Sequence, residues 1–294
     1  MKIEDKISGK TKIIGIIGNP VEHSISPQIQ NTISRCMGIN AVYIPFRVDE
    51  DELESAVKGV RALNITGFNV TKPFKNQIMK YIDTVSNDAL LMGAINCVKN
   101  VNGRLYGYNT DAEGFYRSFT KQTGTGFIDK SITLLGAGGA ARAIAVKIAA
   151  EGAKRISIIN RTLSKACDIA EIVNNNFGRI TDIYELKDAG AEYALKQSDI
   201  VINTTSAGMY PDIDGSPLDE SIRFRSNQII YDIIYNPPKT RFLANAQKTG
   251  ALAVNGSLML LYQGVYAYEI WMDIKLPQHI LDELSVAFSN YLKK

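Results

Sequence analysis

The stretch Ser131-Ile-Thr-Leu-Leu-Gly-Ala-Gly-Gly-Ala-Ala141 constrains the fold of this chain more than any other. A short apolar run, 131–135, reaches Gly136, and an Ala-rich stretch, 138–150, has the composition of a helix. A strand that enters a helix through a glycine turn is the first half of a βαβ unit. Further apolar runs follow at 155–159, 199–203 and 228–234, with a helical pattern from 163 to about 174. Short apolar strands separated by helices imply an α/β fold built on a parallel, doubly wound, Rossmann-like sheet, because a sheet covered on both faces needs no polar alternation.

Before residue 112 the rhythm differs. A strand at 12–17 ends in the turn Gly18-Asn-Pro20, and Ser26-Pro27 offers an N-cap and a first-turn proline for a helix reaching about Cys36. A strand at 41–46, an amphipathic helix at 49–60, a strand at 64–70 and a helix after Pro73 follow. Val101-Asn-Gly103 then joins 95–99 to 104–108 as a hairpin. Two more helices are expected at 257–272 and 278–292. A chain of 294 residues is comfortable for two cores, and the absence of a low-complexity linker predicts a structured joint near 112.

Composition narrows the chemistry. Net charge is +3 with no basic run, which gives no reason to expect nucleic acid as a partner. The start, Met1-Lys-Ile-Glu-Asp-Lys6, lacks a leader's apolar core, and no apolar run approaches the ~20 residues of a membrane span. Cys36, Cys97 and Cys167 are odd in number and far apart, which suits neither a disulfide framework nor a Cys-x-x-Cys metal site; the expectation is a reduced, cytoplasmic protein. With only His23 and His279, a His-rich metal centre is disfavoured, and there is no Gly-x-Ser-x-Gly elbow. Acid–base work falls to Lys, Asp, Glu or Tyr.

The glycine segment matches Gly-x-Gly-x-x-Ala. Gly136 turns the chain, Gly138 lets the backbone approach a pyrophosphate, and Ala141 packs helix on strand; Ala137, Gly139 and Ala140 complete the turn. The helix start supplies free N–H groups for phosphate. An NAD site usually carries an acidic residue at the end of the second strand. Here that strand ends in Asn160-Arg161-Thr162, with Lys165 following, a donor set suited to a 2′-phosphate. NADP is favoured over NAD. The plainer reading is a polar strand end with Thr162 as an N-cap.

Asn69-Val-Thr-Lys-Pro-Phe-Lys75 crowds polar side chains at a strand's carboxyl end, the usual place of a binding crevice, and offers Lys75 for proton transfer. His23-Ser-Ile-Ser-Pro27 sets the hydroxyls of Ser24 and Ser26 at a helix start, where a carboxylate would fit. Asp111 ends Tyr108-Asn-Thr-Asp111 just before the next helix. Taken singly, each has a bland alternative: a solvated lysine, an N-cap serine, a helix-capping aspartate.

Together these segments resemble the shikimate dehydrogenase family. The resemblance is carried by Gly18-Asn-Pro-Val-Glu-His-Ser-Ile-Ser-Pro27, Asn69-Val-Thr-Lys-Pro-Phe-Lys75, Gly93-Ala-Ile-Asn96 and Gly107-Tyr-Asn-Thr-Asp111. It continues through Gly136-Ala-Gly-Gly-Ala-Ala-Arg142, Asn160-Arg-Thr162, Asn203-Thr-Thr-Ser-Ala-Gly-Met209, Tyr235-Asn-Pro237, Thr240, Asn255-Gly256, Met259-Leu260 and Gln263. It implies reduction of 3-dehydroshikimate to shikimate with NADPH in the pathway to chorismate. It also implies a substrate domain, 1–112, completed by helices from 256–294, and an NADP domain, 113–255. By motif match Ser24 and Ser26 would hold the substrate carboxylate, Thr71, Asn96, Asp111 and Gln263 the ring hydroxyls, and Tyr235 would close near the carboxylate. Lys75 and Asp111 would form the catalytic pair, and Met209 would belong to the NADP site. The protein would act on a small molecule as a monomer or homodimer.

The chain departs from the family pattern at Gln30-Asn31 (often His-Asn), at Asn96-Cys97 (often Asn-Thr) and at Asp273 (usually Gly). The first two departures are expected near the pocket. Rival readings are a quinate/shikimate dehydrogenase using NAD as well, a non-catalytic NADP sensor, and a folate-type methylene dehydrogenase. The sensor would be expected to lack Lys75 or Asp111, and the folate enzyme leaves Ser24, Ser26 and Asn109-Thr-Asp111 unexplained.

Overall fold

The structure is a computed structural model that describes residues 7–292; the opening residues 1–6, expected to lack a leader's apolar core, lie outside them. The described chain divides into two units. One runs to Thr110 and takes in the residues from Leu261 onward, and the other spans Asp111–Leu260.

The first unit contains β1 (Lys12–Gly18), α1 (Ser26–Cys36), β2 (Ala41–Arg47), α2 (Leu53–Ala62), β3 (Gly67–Val70), β4 (Thr84–Val85), α3 (Asn87–Met92), β5 (Cys97–Val101) and β6 (Arg104–Tyr108). Its sheet has the order β2-β1-β3-β5-β6-β4. β1 pairs in parallel with β2 and β3, while β5 runs antiparallel to both β3 and β6. The β5–β6 hairpin closes through Asn102 (φ 52°) and Gly103 (φ 86°), the two left-handed positions that an Asn-Gly turn supplies at little cost.

The second unit contains α4 (Asp111–Thr123), β7 (Ser131–Leu135), α5 (Gly139–Ala150), β8 (Arg155–Asn160), α6 (Leu163–Phe177), β9 (Thr181–Glu185), α7 (Ala189–Gln197), β10 (Ile200–Asn203), β11 (Ile229–Asp232), α8 (Arg241–Lys248) and β12 (Leu252–Asn255). Its sheet, β12-β11-β10-β7-β8-β9, is parallel throughout. The core gathers Phe115, Phe119 and Phe127 with Tyr231, ring centroids 4.6 to 5.9 Å apart. The Tyr231 hydroxyl is paired with Ser118 Oγ at 3.0 Å, so the buried ring leaves no polar atom unpartnered.

Helix α9 (Ser257–Met272) starts in the second unit and its residues from Leu261 belong to the first; α10 (Gln278–Tyr291) follows. α9 is apolar on all sides, and buries Leu261, Tyr262, Val265, Tyr268 and Trp271. Gly67 makes room for it: a Cβ there would lie 2.3 Å from the Trp271 ring, whose Nε1 donates to the Val98 carbonyl at 2.9 Å.

Several local expectations are corrected. The strand expected over 64–70 begins at Gly67, because Asn64 is left-handed (φ 50°) and breaks the extended run. No α-helix follows Pro73; turns lead into a 3-10 helix, Gln77–Tyr81. Ser26 does not cap α1 but is its first residue, preceded by Ile25. The helix expected from 49 starts at Leu53, after a 3-10 turn at Glu50–Glu52. β4, α3, β9, α7, α8 and β12 have no counterpart in the sequence reading. β9 is a half-exposed edge strand and β4 is two residues long, so neither carries an apolar run.

Candidate active site

In the first unit, strand pairing brings distant motifs to one end of the sheet. Ile17 pairs with Val70, Asn69 with Cys97, and Cys97 with Tyr108. Antiparallel β5 therefore starts where β3 and β6 finish, and Thr71, Asn96 and Thr110 emerge at the same edge. Backbone bonds fix this arrangement: Thr71 N–H donates to Ile17 O at 2.9 Å, Val70 N–H to Asn96 O at 2.9 Å, and Asn96 N–H to Tyr108 O at 3.1 Å. Lys75 sits in the turn after β3, half-buried, with its carbonyl accepting from Ile95 N–H at 2.8 Å. Asp111 is the residue after Thr110 and opens α4.

Asn96 is 3% exposed, and its Oδ1 accepts from the Thr110 N–H at 2.6 Å and the Thr110 hydroxyl at 3.2 Å. This side chain thus holds the residue just before Asp111. Ser24 Oγ accepts from Ser26 N–H at 3.3 Å, so the two serines form one local turn at the start of α1. Gln263 lies half-buried on α9, beside Gly264, whose carbonyl accepts from Gln30 Nε2 at 2.9 Å.

Two residues missed in the sequence run beneath this set. Tyr43 is buried on β2; burial pushes its hydroxyl well above the usual range, against an opposing effect of the nearby Ser26 side chain. The Tyr43 hydroxyl donates to Asn69 Oδ1 at 2.8 Å, and Asn69 Nδ2 donates to Asn96 O at 2.9 Å. A buried chain of bonds therefore links Tyr43 to Asn96 through Asn69, with the half-buried Ser26 beside its tyrosine end. Their signal in the sequence is weak: Tyr43 sits in an apolar strand, and Asn69 belongs to a crevice motif that by itself gives it no particular partner.

Of the departures, Gln30 points into the packing against α9, and Asn31 spends its amide on the edge strand, pairing with Tyr43 N–H at 2.9 Å and Tyr43 O at 3.0 Å. Cys97 is fully buried, and desolvation raises its thiol far above the ordinary value. Gln30 and Cys97 are buried packing residues, while Asn31 is half-buried against the edge strand.

The second unit holds a cavity of about 880 Å³ at the carboxyl ends of β7, β8 and β10, where a doubly wound sheet binds its ligands. It brings together Gly136, Ala137, Gly138, Asn160, Arg161, Thr162, Lys165 and Met209. Gly139 and Ala140 form the first turn of α5 and do not line it. Tyr235, 39% exposed, lies in the segment after β11. Thr204, Thr205, Ser206 and Ala207 also line the cavity; the run of hydroxyls after an apolar strand, just before Met209, is their signal in the sequence.

The residues fit a phosphorylated dinucleotide. Gly136 has φ +103°, and a Cβ there would meet Thr204 Oγ1 and Thr205 Cγ2 at 2.9 Å, so only glycine makes this turn. A Cβ on Gly138 or Gly139 would meet nothing within 4 Å, which leaves an open cradle at the start of α5. At the end of β8, Asn160 Nδ2 donates to Thr162 O at 2.8 Å, holding the turn that presents Arg161 and Lys165, both exposed. Thr162 precedes α6 but makes no side-chain cap, so its hydroxyl is not consumed by the helix. Asp212 also lines the cavity, from the loop after Met209 rather than from the end of β8.

Comparison with known proteins agrees with both units. Residues 16–98 match the family model described as shikimate dehydrogenase substrate binding domain, and residues 118–237 the model described as shikimate / quinate 5-dehydrogenase. The chain is 40% identical over 272 residues to a shikimate dehydrogenase (NADP(+)) of Alkaliphilus oremlandii, covering 92% of this chain and 95% of that one. It is 43% identical over 273 residues to the corresponding protein of Methanocaldococcus jannaschii, covering 92% and 94%. Among solved structures, a shikimate 5-dehydrogenase from Listeria monocytogenes in complex with shikimate and NAD superposes with a TM-score of 0.90 at 36% identity, covering 96% and 99%.

Proposed function

The chain belongs to the shikimate dehydrogenase family, and from that premise we propose that it catalyses the reversible NADPH-dependent reduction of 3-dehydroshikimate to shikimate, on the route to chorismate and the aromatic amino acids. The observation that carries the cofactor choice is the cavity in which the Gly136–Gly138 turn and the cations of Arg161 and Lys165 share one wall. NADPH, when bound, supplies the hydride.

The protein's own residues supply the rest. The open cradle at Gly138 and the start of α5 receive the pyrophosphate, and Arg161, Thr162 and Lys165 the 2′-phosphate. Ser24 and Ser26 hold the substrate carboxylate, with Tyr43 beside the Ser26 side chain. Thr71, Asn96 and Gln263 bind the ring hydroxyls, and Tyr235 the carboxylate end. As the C3 carbonyl is reduced its oxygen gains negative charge, and the Lys75 ammonium stabilises that charge and delivers the proton. Asp111 orients the ammonium and accepts from the neighbouring hydroxyl.

The deciding experiment is initial-rate measurement with shikimate and quinate, each crossed with NADP and NAD. Turnover confined to shikimate with NADP is the expected result. Comparable rates with quinate or NAD would place the protein with the broader-specificity enzymes, and NADPH binding without turnover would indicate a sensor. We also infer a cytoplasmic monomer or homodimer. The unpaired cysteines Cys36, Cys97 and Cys167 support a reducing compartment, and light scattering reads the oligomeric state.

A further inference from the structure

Asp232, at the end of β11, is wholly buried and accepts three hydrogen bonds from neutral groups. Its Oδ1 takes the Asn203 amide at 3.0 Å and the Ile234 N–H at 3.1 Å, and its Oδ2 takes the Thr240 hydroxyl at 2.7 Å. A buried carboxylate with neutral partners is costly, and burial pushes this one up to about 6. An apolar side chain would fill the same volume more cheaply. What only the carboxylate does is accept at once from the end of β10 and from both ends of the loop after β11.

Those segments are the ones that carry the site of the second unit. Ile234 and Thr240 are the two ends of the loop that bears Tyr235, and the same carboxylate holds both. Thr240 also caps α8, its oxygen accepting from Leu243 N–H at 3.3 Å, which fixes the far end of the loop to a helix. Asn203 ends β10, and its Oδ1 accepts from the Thr205 N–H at 3.0 Å and the Thr205 hydroxyl at 2.7 Å. That turn lines the cofactor cavity and lies against Gly136, with Thr204 Oγ1 bonded to Leu135 O at 2.7 Å.

We propose that Asp232 is a positioning residue for the reaction, holding the Tyr235 loop in register with the Thr204–Thr205 wall of the cofactor cavity. The proposal rests on the shikimate-reducing reading in one respect, that Tyr235 meets the substrate. The two oxygens separate its consequences. Loss of the Thr240 bond releases only the loop, whereas loss of the carboxylate disturbs the loop and the cofactor wall together.

The test uses the full chain with Asp232→Asn, Thr240→Val and Thr240→Ser, reading NADPH Kd by fluorescence, KM and kcat for shikimate, and Tm. Thr240→Val should raise the shikimate KM about tenfold with NADPH Kd within about twofold of wild type, and Thr240→Ser, which keeps the hydroxyl, should restore it. Asp232→Asn turns an acceptor into a donor facing other donors, and should weaken both shikimate and NADPH at least about threefold. Variants that lower Tm but keep wild-type KM and Kd would overturn the proposal, as would a Thr240→Ser no better than the valine. NADPH Kd needs no substrate, so a wild type that binds NADPH without oxidising shikimate refutes the functional reading alone. The Asp232→Asn affinity would still decide the proposal, an unchanged Kd refuting it.

Discussion

Asp273 takes a left-handed backbone conformation, φ 53°, just beyond the end of α9, and its carboxylate lies 2.5 Å from Lys99 Nζ on β5. Family members usually carry glycine here, which enters this region without strain. Aspartate tolerates it better than most residues and in this chain adds an ion pair, though one whose acidic partner is 79% exposed. Asp273→Gly should therefore be nearly neutral, within about 0.5 kcal/mol, while Asp273→Ala keeps the strain and loses the pair, costing about 1 kcal/mol. Urea unfolding of the three proteins measures this; equal stabilities for Gly and Ala would show that the backbone here is unstrained.

Lys75→Ala should lower kcat by about 10²-fold or more while leaving the shikimate KM within a few-fold, because the ammonium's contact strengthens as the oxygen gains charge. Steady-state kinetics with saturating NADP decides it. A raised KM with wild-type kcat would make Lys75 a binding residue only.

Arg161→Ala should erode the preference for NADP over NAD by about 10- to 100-fold in kcat/KM, chiefly through NADP, since a charge-assisted bond to a phosphate contributes about 1.5–3 kcal/mol. Rates with the two cofactors at fixed shikimate read the ratio. Equal losses with NADP and NAD would mean that Arg161 supports the turn rather than the 2′-phosphate.

Asp232 makes stability depend on pH. Burial raises its carboxyl to about 6, against the bonds from Thr240, Ile234 and Asn203, whereas an unfolded aspartate titrates near ~3.9. Through that window the folded chain keeps a proton that the unfolded chain has released. The contribution is complete below about pH 4 and is lost as pH rises through about 6, amounting to about 3 kcal/mol. Asp232→Asn cannot titrate, so the difference in unfolding free energy between wild type and variant should shrink for the wild type by that amount from low to high pH. Parallel pH profiles for the two proteins would sink the idea.

Local chemistry was legible in the residues themselves. Asn102-Gly103 supplies the dihedral angles of its own hairpin, Gly136 sits where a side chain cannot, and the helix expected over 257–272 is α9 over the same residues. The glycine turn, Arg161 and Lys165 could be joined into one site from sequence because a strand, a turn and a helix place them within a single βαβ unit. The hydroxyls at Thr204–Ser206 come from another strand, and local spacing does not join them to that unit.

What tertiary structure decided is everything that depends on which strand lies beside which. Thr71, Asn96 and Thr110 meet because antiparallel β5 is inserted between β3 and β6, and Tyr43 and Asn69 become a relay only once β2, β1 and β3 are paired. Trp271 belongs to the first unit because Gly67, some two hundred residues earlier, leaves space for its ring. Asp232 reads as an ordinary strand-end aspartate until Asn203 and Thr240 close over it. Backbone preferences act over a few residues and can be read along the chain; burial and strand register are properties of pairs far apart in it, and exist only after folding has chosen the pairs.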